Sequence, residues 1–146
     1  MFSFRMKICD IFNNSKAGKI YTRKDEVMFA AVLSHDIAWA SAVVELIMNK
    51  CIPQGRYIEL ELFQCPHKLL QYLKDEEKTG TVIMSADQID DLMHAKNISQ
   101  TGAKIILLTD SNDIAIKAYS IAPEYCTYKA PDDEDIDRIS SIIFCH

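Results

Sequence analysis

Four short polar clusters in this chain each follow directly on an apolar run: Ser34-His35-Asp36, Ser85-Ala86-Asp87, Thr109-Asp110 and Lys129-Ala130. Together they supply an imidazole, several carboxylates, three hydroxyls and an ammonium, the groups that nucleophilic and ionic chemistry uses. His35 could act as a ligand or nucleophile, or it could close a strand with its hydrogen bonds satisfied. Asp36 stands where a carboxylate caps a following helix, because Asp accepts backbone N–H bonds there. Thr109 and Lys129 offer a hydroxyl and an amine at two further strand ends. The cysteines are Cys9, Cys51, Cys65, Cys126 and Cys145, an odd number with no C-x-x-C pair, so the spacing of a structural zinc site is missing. Their apolar settings predict reduced, buried thiols in a cytoplasmic protein.

The elements that must position these clusters follow from periodicity. Met28 to Ser34 is a nearly continuous apolar run, as in a buried strand, and Ile37 to Lys50 is long and apolar enough for a helix. Breakers at 51–55 precede Tyr57 to Phe63, whose alternation of apolar and acidic residues predicts an exposed edge strand. Pro66 suits the first turn of a helix carrying Leu69, Leu70 and Leu73, which Thr79-Gly80 ends. Thr81 to Met84 is then a strand, Ile89 to Ile98 a helix and Lys104 to Thr109 a strand. Asp113 to Ile121 is helical, Tyr125 to Tyr128 a short strand, and Asp132 to Phe144 a last helix with Ile136, Ile139, Ile142 and Ile143 on one face. Trp39, Val43 and Leu46 are expected in the core.

Strands separated by helices rather than by hairpin turns run parallel, since the chain returns to the same sheet edge only through a crossover. The expected fold is a doubly wound α/β domain, a five-stranded parallel sheet in the order 2-1-3-4-5 with helices on both faces. In such sheets the functional crevice lies outside the carboxyl ends of the strands, where the four clusters fall.

With 146 residues, 49% hydrophobic and 25% charged, and with 4 Gly and 4 Pro, the chain fits one ordinary core. No apolar run approaches the length of a membrane span, and Arg5 and Lys7 interrupt the N-terminal apolar patch, so neither membrane association nor a signal peptide is expected. The net charge of −5 conceals an asymmetry: residues 1–24 carry six Lys and Arg against Asp10, or +5, which leaves −10 for residues 25–146. An acidic body repels phosphate backbones, so direct nucleic-acid binding by residues 25–146 is not expected. The division drawn is a basic extension over 1–27 and a domain over 28–146. Met6, Ile8, Ile11 and Phe12 give the extension an apolar face with which to pack.

The stretch Ile105 to Lys129, I-I-L-L-T-D-S-N-D-I-A-I-K-A-Y-S-I-A-P-E-Y-C-T-Y-K, resembles I-I-F-L-T followed by A-x-x-A-F-x-x-x-A-x-x-Y-L-x-K-P of bacterial response-regulator receiver domains. The likeness covers about residues 28–144 and is nearest the type found ahead of LytTR DNA-binding domains. It implies the CheY-like, flavodoxin-like version of the doubly wound fold. It also implies that Thr109 and Lys129 belong to a phosphorylation pocket, the hydroxyl following the phosphoryl group and the ammonium pairing with it.

The rest of that pocket departs from the family. A receiver holds Mg²⁺ with two adjacent acids after the first strand and phosphorylates a third after the third strand, because this cation wants carboxylate oxygens in an octahedron. Here the pair is His35-Asp36, and imidazole is a poor Mg²⁺ ligand. The acceptor position falls on Ser85 or Ala86, with Asp87 one or two residues away, and a slip of one residue turns a strand side chain to the other face. The family's M-P-G-x-D-G loop is replaced by Gln88-Ile-Asp-Asp91, Lys129 is followed by Ala130 before Pro131, and Cys126 takes the aromatic position of the last strand beside Tyr125.

The resulting expectation is a non-enzymatic pseudo-receiver with no cofactor, whose degenerate pocket comprises His35, Asp36, Ser85, Ala86, Asp87, Thr109 and Lys129, with Lys129 paired to Asp36. It would act on a protein partner or as a homodimer through the fourth helix, fifth strand and fifth helix, using Lys117, Tyr125, Asp133, Asp137 and Arg138. Two alternatives stay open. One is a working phosphoacceptor using Asp87, with Mg²⁺ held by Asp36 and Asp87 and by Asp90 or Asp91. The other is a phosphohistidine carrier using His35, which ends a first strand as in mannose-type sugar-transport proteins. Ile142 to His146 follows directly on the last helix, so a module without an attached effector domain is expected, stand-alone or cut from a longer chain.

Overall fold

The computed structural model describes residues 28–145 and the backbone of a strand at Ser3–Lys7. That strand is β1. β2 (Met28–Leu33), β3 (Ile58–Phe63), β4 (Thr81–Ser85), β5 (Lys104–Leu108) and β6 (Tyr125–Thr127) follow it. They alternate with α1 (Ile37–Cys51), α2 (Pro66–Asp75), α3 (Ile89–Ser99), α4 (Asn112–Lys117) and α5 (Asp133–Ile143). The helix expected over 113–121 ends as α-helix at Lys117 and continues as a 3₁₀ turn over Ala118–Ile121.

The sheet runs β1-β3-β2-β4-β5-β6. The five strands from β2 to β6 are all parallel, in the expected 2-1-3-4-5 order. β1 adds a sixth, antiparallel strand outside β3. The positions of Ile8, Cys9, Ile11 and Phe12, and the side chain of Met6, lie outside the described residues.

β1 corrects the edge-strand expectation for β3. All six β3 residues are buried, Glu59 and Glu61 at 6% and 5% exposure, because the strand has a neighbour on each side. Lys78 Nζ donates to Glu59 at 2.9 Å, so that acid enters the interior with a partner.

Side chains alternate across the parallel strands, and each face of the sheet has its own core. Ala30, Val32, Leu60, Ile83 and Ile106 meet α1 and α5 through Ala40, Val43, Ile47, Ile136 and Ile139. On the other face Ala31, Leu33, Val82, Met84 and Leu107 meet α2, α3 and α4 through Leu69, Leu73, Ala95, Ile98 and Ile114. Leu46, expected inside, is 38% exposed, on the outer side of α1. Cys51 is buried and Cys65 and Cys126 are half-buried, whereas Cys145 is exposed, contrary to the expectation of a buried thiol. At the start of β4, Gly80 passes so close to β2 that a Cβ there would lie 2.3 Å from the Phe29 carbonyl oxygen. No helix among the described residues is long and apolar enough to cross a membrane.

Candidate functional site

The carboxyl ends of β2, β4, β5 and β6 lie side by side. At the first two, the groups that meet are hydroxyls. Ser34 and Ser85, both buried, place their Oγ atoms 2.9 Å apart, and the Asp36 N–H donates to Ser34 Oγ at 3.1 Å. Ser34, the first residue past the β2 apolar run, therefore occupies the position facing β4, one residue earlier than the His35-Asp36 pair expected there. The missed signal was the strand end itself, because the first residue past an apolar run can still project from the sheet while its successors already turn into the loop.

Asp36 is exposed and turned away: its Oδ1 accepts from the Trp39 N–H at 3.1 Å and caps α1. His35 is exposed, and its backbone carbonyl accepts from Gln64 Nε2 at 3.4 Å. Ala86 is fully buried, its N–H donating to the Leu108 carbonyl at 3.0 Å, so it presents nothing to solvent. The buried Thr109 turns its Oγ1 to accept from the Ser111 N–H at 3.1 Å.

Lys129 was expected against Asp36 and is instead bound to Asp87, two residues beyond Ser85. Its Nζ lies 3.1 Å from Oδ1 and 3.3 Å from Oδ2. The main chain of Lys129 is held from two further directions. Its N–H donates to Asp110 Oδ1 at 3.1 Å, and its carbonyl accepts from Trp39 Nε1 at 2.6 Å. Trp39, expected as core packing, thus also ties α1 to the loop after β6. Of the expected pocket, Asp87 and Lys129 pair, Asp110 and Trp39 hold the Lys129 main chain, and His35, Ser85 and Asp87 line one small cavity with Ser34, while Asp36 caps α1, Ala86 is buried and the Thr109 hydroxyl accepts from the Ser111 N–H.

The donor set does not fit Mg²⁺. Two neutral hydroxyls bonded to each other face across β2 and β4, Asp36 is spent on a helix cap, and Asp87 already carries an ammonium. Asp91 Oδ2 accepts from the Asp87 N–H at 2.8 Å and the Gln88 N–H at 3.0 Å, which leaves it ordering the α3 N-terminus. Asp90 lies in the same first turn, exposed. Among the described residues no three His, Cys, Asp or Glu converge as a metal cluster. The cavity between Ser34, His35, Ser85, Asp87 and Asp91 measures about 20 Å³, room for roughly a single water.

On the far edge, Asp135 of α5 accepts from Tyr125 Oη at 2.6 Å and Thr127 Oγ1 at 3.0 Å, and the Arg138 guanidinium sits 5.7 Å from the Tyr125 ring centre. The hydrogen bond to the Asp135 carboxylate is the main reason the Tyr125 phenol is pushed up, burial adding to it. Lys117 pairs with Asp113 one helical turn away, at 3.1 Å. Asp133 is exposed in the first turn of α5. Asp137, expected on this face, forms an ion pair with Lys50 of α1. The α4–β6 junction carries Ile116 at 67% and Tyr119 at 85% exposure, beside a groove of about 510 Å³ reaching Pro123 and Cys126.

No family model matches the chain, and no curated protein matches it significantly. Solved structures do. The signal receiver domain of NarL from Mycobacterium tuberculosis superposes with a TM-score of 0.60 at 11% identity, over 78% of this chain and 93% of that one. The BeF3-activated DrrB receiver domain gives 0.56 at 19% identity, over 80% and 97%. A response regulator protein from Burkholderia pseudomallei, solved with a phosphorylated aspartic acid, a calcium ion and citrate, gives 0.57 at 15% identity, over 80% and 66%. At these identities the likeness is one of architecture, and the architecture is that of the response-regulator receiver domain.

Proposed function

We propose that this chain is a cytoplasmic signalling pseudo-receiver, allied through residues 105–129 to the LytTR-associated type, which acts by protein contact without catalysis and without phosphorylation of an aspartate. The observation that carries the reading is the 2.9 Å Ser34–Ser85 hydroxyl pair at the ends of β2 and β4. Phosphoryl transfer needs a carboxylate nucleophile in line and a cation to neutralise the oxygens, and this pair supplies neither. The contact surface is the face of α4, β6 and α5, where Ile116 and Tyr119 are exposed beside the Tyr125–Asp135–Arg138 cluster. It would bind a protein partner or a second copy, and the acidic body makes nucleic acid an unsuitable partner.

A second reading, Asp87 as phosphoacceptor, is favoured by the position of Lys129 on both its oxygens. Incubation with acetyl phosphate and Mg²⁺ followed by intact-mass measurement separates the two. The pseudo-receiver reading expects no added phosphate. A phosphate abolished by Asp87→Asn would establish the acceptor reading, and one abolished only by His35→Ala would make the protein a phosphohistidine carrier.

A further inference from the structure

Two of the chain's four histidines meet on the outside of the fold, away from the groups at the carboxyl ends of β4 and β6. His67 stands in the first turn of α2 and His94 in the middle of α3. Their ring centres lie 6.2 Å apart, with the ring planes at 76°. His67 is exposed and His94 half-buried. No hydrogen bond or ion pair from another described residue engages either ring. Their nitrogens are therefore open to a ligand, and a neutral imidazole nitrogen donates its lone pair readily to a metal.

The separation suits a shared ion. With a Zn–N bond of about 2.0–2.1 Å, a ligating ring has its centre about 3.2 Å from the metal. Two rings on one ion then have centres about 5.2 Å apart at the tetrahedral angle and about 6.4 Å apart when opposed. The observed 6.2 Å lies inside that window, so side-chain rotation of the exposed His67 closes the pair without moving a helix. Asp90, exposed and four residues before His94, stands on the same face of α3 and adds negative potential.

We infer that His67 and His94 form a two-imidazole site for a nitrogen-preferring divalent transition ion of the Zn²⁺ class, water completing its coordination. Imidazole suits Zn²⁺, Ni²⁺ and Cu²⁺, whereas Mg²⁺ requires oxygen ligands, so the site discriminates between the two kinds of cation by donor type. Because each ring comes from a different helix, the bound ion ties α2 to α3. The site stands apart from the Lys129–Asp87 pair and holds whatever the chemistry at Asp87.

Calorimetric titration of the full chain with Zn²⁺ tests it. One equivalent should bind to the unaltered protein, with millimolar Mg²⁺ failing to compete. His67→Ala and His94→Ala should each weaken binding at least about tenfold, since each removes half of the protein's donors. In the unaltered chain, the carbon-bound imidazole proton signals of His67 and His94 should shift together in NMR spectra as Zn²⁺ is added. That measurement needs no substitution, so it decides the matter even where a variant does not fold. No binding to the unaltered chain overturns the proposal. So does binding retained in both histidine variants, with the thiols of Cys65 and Cys145 as the alternative ligands, or a shift of one ring without the other.

Discussion

The Lys129 ammonium grips Asp87 by both oxygens, and so fastens the loop after β6 to the loop after β4 across the end of β5. The two side chains are 24% and 57% exposed, and solvent-screened pairs contribute little. Lys129→Ala should lower stability by less than about 1 kcal/mol. Chemical denaturation checks this, and a loss of several kcal/mol would show that the pair is a major support of the fold.

Mg²⁺ at millimolar concentration should leave the melting temperature unchanged, because the hydroxyls of Ser34 and Ser85 replace the carboxylates a hard cation requires. Ser34→Asp/Ser85→Asp sets two carboxylates together, so the double variant should be less stable without the ion and recover with it. Sub-millimolar Mg²⁺ affinity of the unaltered chain by calorimetry would contradict the assignment.

Gly80→Ala should destabilise by about 1–3 kcal/mol, since its methyl group collides with backbone, the Phe29 carbonyl, rather than with a side chain that can move aside. A neutral result in thermal unfolding would mean that β2 and β4 can separate there without loss.

The Asp135 carboxyl is held below its usual range: burial pushes it up, and hydrogen bonds from Tyr125, the Asp132 N–H and Thr127 outweigh that. A depressed folded value gives stability that is complete above the unfolded value near about 4 and lost as pH falls through the folded one. Asp135→Asn should therefore flatten the acid limb of the stability curve. At the other end, the raised Tyr125 phenol stabilises the fold below about pH 10, a contribution lost as pH rises through its folded value. The difference in phenolate absorbance between the unaltered chain and Tyr125→Phe should accordingly emerge only above pH 10.

Burial pushes the Cys51 thiol up, against a smaller pull from the Ser140 hydroxyl 3.7 Å away. At pH 8 a thiol reagent should label half-buried Cys65 in the folded protein and Cys51 only on unfolding, by peptide mapping. Equal rates at the two would indicate that α1 opens readily at its last turn.

The parallel sheet was legible because the strands at Met28–Leu33, Thr81–Ser85 and Lys104–Leu108 are compact apolar runs with helix-length segments after them, and the capping acid Asp36 marks where the first helix begins. β3 misled because alternation of Glu with Leu looks the same on a solvent-facing edge as on an edge whose cover is supplied from more than fifty residues away in sequence. The site was half legible. Thr109 and Lys129 carry a recognisable pattern, but whether Lys129 reaches Asp36 or Asp87 depends on how two loops fold back, which local residue types do not encode. The Asp137–Lys50 pair was not legible for a like reason, since Lys50 lies on a helix distant in the chain.

β6 has only three residues, registered on Ile106 to Leu108, and is braced from outside by the Asp135 carboxylate of α5. A strand so short, with no fully buried residue, has little cooperativity of its own, so β6 should open first while β2 to β5, with Ile136 and Ile139 of α5 packed on them, remain closed. That opening would free Lys129 from Asp87 and from Trp39 in one event. The single tryptophan is thereby a built-in optical gauge: its emission should report what fraction of molecules has the β6 edge of the sheet undone.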